Sequence, residues 1–179
     1  MRKALFFLGI LNDSDLDWMI AQGTKKEVAA GSVLIHEGRP LDSMFIILDG
    51  RFGVSTLAVA GKDIASLMCG EIVGEMSFLD SRPPSASVRA LEKCCVLAIS
   101  RKRLSEKLES DTAFAARFYH ALGVFLSDRL RTTVGMLGYG QGQRLDEKEY
   151  ADEIDPDMLD KIALAGARFD WLQRRLQSI

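Results

Sequence analysis

Cysteine is scarce in this chain of 179 residues: there are three, and two of them are adjacent as Cys94-Cys95. Three thiols make no disulfide framework, so the expected setting is reducing and cytoplasmic. Histidine is scarcer still. His36 falls in a strand-like run and His120 in a helical one, which leaves no cluster of imidazoles and carboxylates for a cupin-type metal enzyme. No run of 18 apolar residues occurs, so no segment reads as a membrane-spanning helix. The opening Met1-Arg-Lys-Ala-Leu-Phe-Phe-Leu-Gly-Ile-Leu passes directly into Asn12-Asp13-Ser14-Asp15, without the small-residue cleavage site of a signal peptide. Nucleophile elbow, Walker loop and Cys-x-x-Cys pair are all absent, and the expectation is a protein that is not an enzyme. A net charge of −2 supplies no positive field for non-specific nucleic-acid binding.

What remains is the composition of a globular protein, 47% apolar and 27% charged. The charge is uneven. Residues Asp146–Asp160 hold eight carboxylates against Lys148 alone, a net of −7 that leaves +5 on the rest of the chain. Such a strip is a solvated connector or an electrostatic contact screened beyond about 8 Å.

Periodicity divides the chain. Leu16, Met19 and Ile20 share a helical face behind Ser14, which stands three residues before Asp17 in capping-box spacing. Short β-prone runs follow at Ser32–His36, Met44–Leu48, Arg51–Leu57, Ile64–Met68, Ser87–Ala90 and Cys95–Ile99, punctuated by glycine turns. Their spacing suggests a sandwich or barrel. Adjacent on a strand, Cys94 and Cys95 face opposite ways, so one is expected in the core. From Ser100 the period turns helical, and Asp111 caps a long helix to about Val134. Phe114, Phe118, Leu122 and Phe125 form one stripe on it; Leu126, Leu130 and Val134 form a second. Gly135, Gly138, Gly140 and Gly142 are expected to break that helix into a joint. Pro156 then opens a last helix whose face holds Leu159, Ile162, Phe169 and Leu176, with Trp171 off it. Two regions result: 1–134, and 135–179 as linker, acidic strip and terminal helix.

One segment carries chemistry: Gly70-Glu-Ile-Val-Gly-Glu-Met-Ser-Phe-Leu-Asp-Ser-Arg-Pro-Pro-Ser-Ala-Ser-Val-Arg-Ala90. It reads as a strand, a Gly-Glu pair, one helical turn, a Pro/Ser-rich turn and a second strand. Free backbone N–H groups and serine hydroxyls there form a natural anion cradle, and the carboxylate can accept from a sugar hydroxyl.

Gly74-Glu75, Ser85-Ala86-Ser87-Val88, Gly31-Ser-Val-Leu-Ile-His-Glu-Gly38 and Phe45-Ile-Ile-Leu-Asp-Gly50 resemble, in order and spacing, the cyclic nucleotide-binding domain family over roughly residues 5–134. The resemblance implies an α+β fold: a jelly-roll-like antiparallel β-roll flanked by an N-terminal helix and a long C-terminal helix. It also implies a regulatory sensor whose ligand is a cyclic nucleotide, cyclic AMP or cyclic GMP, or another small anion. The ligand-binding set it implies is Gly74, Glu75, Met76, Ser85, Ala86 and Ser87, with Glu75 on the ribose 2′-hydroxyl and Ser85 with backbone amides on the cyclic phosphate. Ser87 stands where a hydroxyl helps to tell guanine from adenine. No metal and no catalytic residue is implied.

The chain departs from the family's pattern at Pro84, which replaces the arginine that pairs the phosphate. Proline offers neither charge nor a backbone donor. Losing one partner of a desolvated charge pair costs about 2–5 kcal/mol, or roughly 30- to several-thousand-fold in affinity at ~1.4 kcal/mol per decade. Arg82 and Arg89 lie near in sequence but outside the arginine's position. The expectation is weak or altered binding. The alternative is a pseudo-sensor, with the fold kept as a dimerisation or interaction module for a partner the sequence does not name. The stripes on the long helix suit a homodimer through residues 112–134. No basic pair of helices follows, so DNA is not an expected partner.

Overall fold

The structure is a computed structural model and describes residues 5–59, 62–138 and 156–177. In chain order the elements are α1 (Leu5–Ile10), α2 (Asp13–Gln22), β1 (Thr24–Val28), β2 (Val33–Ile35), β3 (Ser43–Asp49), β4 (Phe52–Ser55) and β5 (Asp63–Leu67). Then come β6 (Ile72–Val73), α3 (Glu75–Asp80), β7 (Ser87–Ala90), β8 (Cys94–Ser100), α4 (Arg101–Ser110), α5 (Thr112–Gly138) and α6 (Pro156–Gln177). Two four-stranded antiparallel sheets, ordered β1-β8-β3-β6 and β2-β7-β4-β5, form the roll. Helices cover the outer face of the first.

Strand period explains the layering. On β3, Phe45 and Ile47 point into the roll, while Met44, Ile46 and Leu48 point at the helices. On β8, Cys94, Val96 and Ala98 face inward and Leu97 and Ile99 outward. Strands buried on both faces read as unbroken apolar runs, which is why these two stand out in the sequence. Cys94 is buried in the roll and Cys95 is half-buried against the helical core, as alternation expects.

The helical core is aromatic. Phe118 meets Phe7 edge-on at 5.5 Å and Phe78 at 5.9 Å, and Phe114 stacks obliquely on it at 5.6 Å. Phe114, Phe118, Leu122 and Phe125 are all buried within this one chain, so the first stripe of α5 is core. The second leaves it part-way: Leu126 is half-buried against the core, whereas Leu130 and Val134 are exposed, as is Tyr119. Asp15, itself buried, ties α2 to α5 by accepting two bonds from Arg117, at 2.7 and 2.8 Å.

Several expectations need correction. The α2 cap is Asn12, paired reciprocally with Asp15; Ser14 and Asp17 have the same spacing but lie inside the helix. Asp111 does cap α5, its Oδ1 accepting from Phe114 N at 2.9 Å, but the helix continues through Gly135 to Gly138 rather than breaking at Gly135. One glycine costs about 1 kcal/mol in a helix, too little to stop one this long. Gly140, Gly142 and the acidic residues up to Asp155 lie outside the described residues. On α6, Phe169 and Leu176 are buried as expected, joined by Ala165 and Leu172. Trp171 is partly buried against the same core, and the side chains of Leu159 and Ile162 lie outside the description.

Candidate functional site

The segment 72–90 crosses from one sheet to the other: β6 ends the first sheet beside β3, and β7 lies between β2 and β4 in the second. The crossing starts at Gly74, whose φ of +88° is left-handed. A Cβ there would sit 2.8 Å from Leu41 Cδ2 and 3.0 Å from the Ser43 carbonyl, so only glycine fits. Helix α3 opens at once, and Phe78 N donates to the Gly74 carbonyl at 3.2 Å.

Glu75 is the first residue of α3 and is 2% exposed. Its Oε1 accepts from Arg129 Nη1 on α5 at 2.5 Å, and Arg129 Nη2 donates to the Ile72 carbonyl at 3.2 Å. The guanidinium also lies over the Phe125 ring, 4.7 Å from its centre. Burial pushes the Glu75 carboxyl above its ordinary value, and the Arg129 charge opposes that shift. The other end of α3 is held by a second arginine. Arg101 Nη1 donates to the Ser77 carbonyl at 3.0 Å and Nη2 to Ser81 Oγ at 2.6 Å. Ser81 closes the helix at a φ of +60°.

Beyond α3 the character changes. Pro84 is half-buried, and its carbonyl accepts from Gly38 N at 2.9 Å. Ser87 Oγ accepts from Glu37 N at 3.0 Å. The Glu37 carboxylate in turn accepts from Leu57 N at 2.8 Å, so the β2–β3 loop binds the crossing to the β4–β5 loop. Of the two nearby arginines, Arg82 is exposed beside Asp80 at 3.9 Å, and Arg89 faces Asp63 at 3.6 Å.

A model of the cyclic nucleotide-binding domain matches residues 25–111. These residues belong to the cyclic nucleotide-binding domain family. The fold agrees. A cyclic nucleotide-binding domain from Methylobacillus flagellatus superposes with a TM-score of 0.70 at 22% identity, covering 80% of this chain and 85% of that one. The catabolite activator protein of Thermus thermophilus gives 0.61 at 22%, covering 94% and 83%. Among curated proteins, an uncharacterised NTE family protein of Mycobacterium bovis is 27% identical over 66% of this chain and 20% of its own length. The cAMP-activated global transcriptional regulator CRP of Escherichia coli is 26% identical over 70% and 60%. The chain thus spans a fifth of the first relative's length and 60% of the second's.

Within this cyclic nucleotide-binding domain, the structure places the sequence-derived residues in two groups. Gly74, Glu75 and Met76 open α3, with Met76 exposed. Ser85, Ala86 and Ser87 enter β7, with Ser85 exposed and the other two half-buried. Arg129 is the residue that sequence reasoning missed. It lies 54 positions from Glu75, on a helix whose apolar stripes draw attention away from it. A basic residue one turn after Phe125 was the available signal. Among the described residues no cluster of three metal-ligating side chains occurs, and no helix is long and apolar enough to cross a membrane.

Proposed function

We propose that this chain is a non-catalytic regulatory sensor whose roll takes a cyclic nucleotide, or a small anion of that class, weakly. The observation that carries the reading is the buried Glu75–Arg129 pair. A carboxylate taken out of water is costly unless it is paired, and here it is held at the helix start where the family presents a ribose acceptor. A ribose hydroxyl donates to Glu75, while the Ser85 hydroxyl and the amides of the crossing face the phosphate. Pro84 supplies no counter-charge there, so affinity is low. Three free thiols suit a cytoplasmic setting.

Pro84 also favours a second reading, the pseudo-sensor that works as a dimerisation module. Tyr119, Leu130 and Val134 put an exposed apolar strip on α5 for a second copy of the chain. Titration calorimetry with cyclic AMP and cyclic GMP separates the two. The sensor predicts saturable binding weaker than micromolar that Glu75→Ala abolishes; the pseudo-sensor predicts no heat of binding at millimolar ligand. Sedimentation tests the dimer with Leu130→Asp, which should shift the chain to monomer and leave its melting temperature unchanged. Phe118→Asp is the wrong probe, because Phe118 is buried in its own protomer.

A further inference from the structure

Helix α6 touches β3 and the turn that leads into β6 and the crossing. Gln173 Nε2 donates to the Leu48 carbonyl at 2.5 Å and lies 3.7 Å from Cys69 Sγ; the Cys69 thiol donates to the same carbonyl at 3.0 Å. Leu48 sits where the register of β3 against β8 shifts, between Ile47 and Asp49, and β8 pairing passes it by. The bulge therefore offers a carbonyl that α6 and the β5–β6 turn share.

That turn is laced to β3 on its other side. Gly70 N donates to the Ile47 carbonyl at 2.7 Å, and Ile47 N to the Glu71 carbonyl at 2.9 Å. Ile72 follows, its carbonyl gripped by Arg129, and then Gly74 and Glu75. The same short stretch of chain is thus held by α6 at its start and by α5 at its end. The α6 seat is substantial: Phe169, Leu172 and Leu176 are buried against the helical core, and Arg168 donates to Asp13 at 2.9 Å and to the Leu8 and Gly9 carbonyls.

We propose that α6 is a latch on the crossing, its docking coupled through the Leu48 bulge and β6 to the order of α3 and of the Glu75–Arg129 pair. Coupling free energy is reciprocal, so whatever rearranges the crossing also shifts the seat of α6. The use of the latch as an output rests on the sensor reading; the coupling itself does not.

Hydrogen exchange by mass spectrometry on the full chain, without ligand, tests it. Gln173→Ala removes the shared bond and spares the apolar seat. Arg175→Ala removes an exposed pairing with Asp17 at 3.6 Å on the same helix. Amides of 72–80 should exchange about 2- to 30-fold faster in Gln173→Ala, the range carried by coupled side chains, and stay unchanged in Arg175→Ala. Alkylation of Cys69, followed by peptide mapping, should quicken in parallel. Exchange that rises in α6, α1 and α2 while 72–80 keeps its wild-type protection overturns the latch. So does an equal effect of the two variants on 72–80. Because no ligand is present, either result is separate from a failure of the sensor reading.

Discussion

At the start of α3, the Glu75 carboxyl is buried and paired with Arg129, whereas the Pro84–Ser87 end of the same crossing has no ionisable side chain, and its Pro84 carbonyl and Ser87 hydroxyl face the β2–β3 loop backbone. The first end draws its counter-charge from α5, far off in sequence. The second is held by its neighbouring loop, Gly38 N donating to the Pro84 carbonyl and Glu37 N to Ser87 Oγ. The contrast teaches that the two ends of one crossing can be held by different means, one by a long-range ion pair and the other by local backbone bonds. The half wired into the helical core is costly to change, because its carboxylate would be left alone in a dry place. The half in the turn changes at little structural cost.

That asymmetry can be broken from the buried side first. Gly74→Val forces a β-branched residue into a left-handed φ against Leu41 and the Ser43 carbonyl, and should destabilise the fold by about 3 kcal/mol, read as a lower melting temperature. Arg129→Ala leaves Glu75 buried without its counter-charge. The expected loss is about 2–3 kcal/mol at neutral pH, below the full cost of a sealed site because water reaches the half-buried arginine.

The pH dependence sharpens the comparison. Burial raises the Glu75 pKa above its ordinary 4.5, so the folded chain holds that proton more tightly than the unfolded one. This contribution to stability is full below 4.5 and is lost as pH rises through the raised folded value. In Arg129→Ala the opposing charge is gone, and the loss with rising pH should steepen. Glu75→Gln should flatten it. Urea midpoints across pH 4 to 8 measure all three; equal slopes in all three chains would break the assignment. At the small end, Ser85→Ala and Arg82→Ala change exposed side chains of the neutral turn and should move stability by less than about 0.5 kcal/mol, within the scatter of repeated denaturant melts.

Much of the architecture was legible because it rests on period. Strands β3 and β8 read as apolar runs, and the stripes of α5 came from helical spacing. β1 was not legible: Thr24-Lys-Lys-Glu-Val is exposed along most of its length and is a strand only because β8 pairs with it. Nor was α1, six residues that are helical through packing on α5 and α6. The cap of α2 was misplaced because Asn12-Asp13-Ser14-Asp15 offers two overlapping box spacings, and packing of Leu11 and Leu16 decides between them. In the candidate site, Gly74-Glu75 and the Ser85–Ser87 turn were visible as local motifs. Arg129 was not, since the pair joins distant segments and only the fold brings them together.

The central claim is that the crossing keeps its ribose end and has lost only the charge at its phosphate end. Titration calorimetry of Pro84→Arg against the unmodified chain with cyclic AMP tests this most directly, with ligand-free melts of both chains because removing a proline can itself lower stability. The account predicts affinity stronger by roughly 30-fold or more, the lower bound for a restored charge-assisted pair. It also predicts that adding Glu75→Ala reverses most of that gain. Submicromolar binding by the unmodified chain, or no gain from Pro84→Arg in a folded protein, would contradict it.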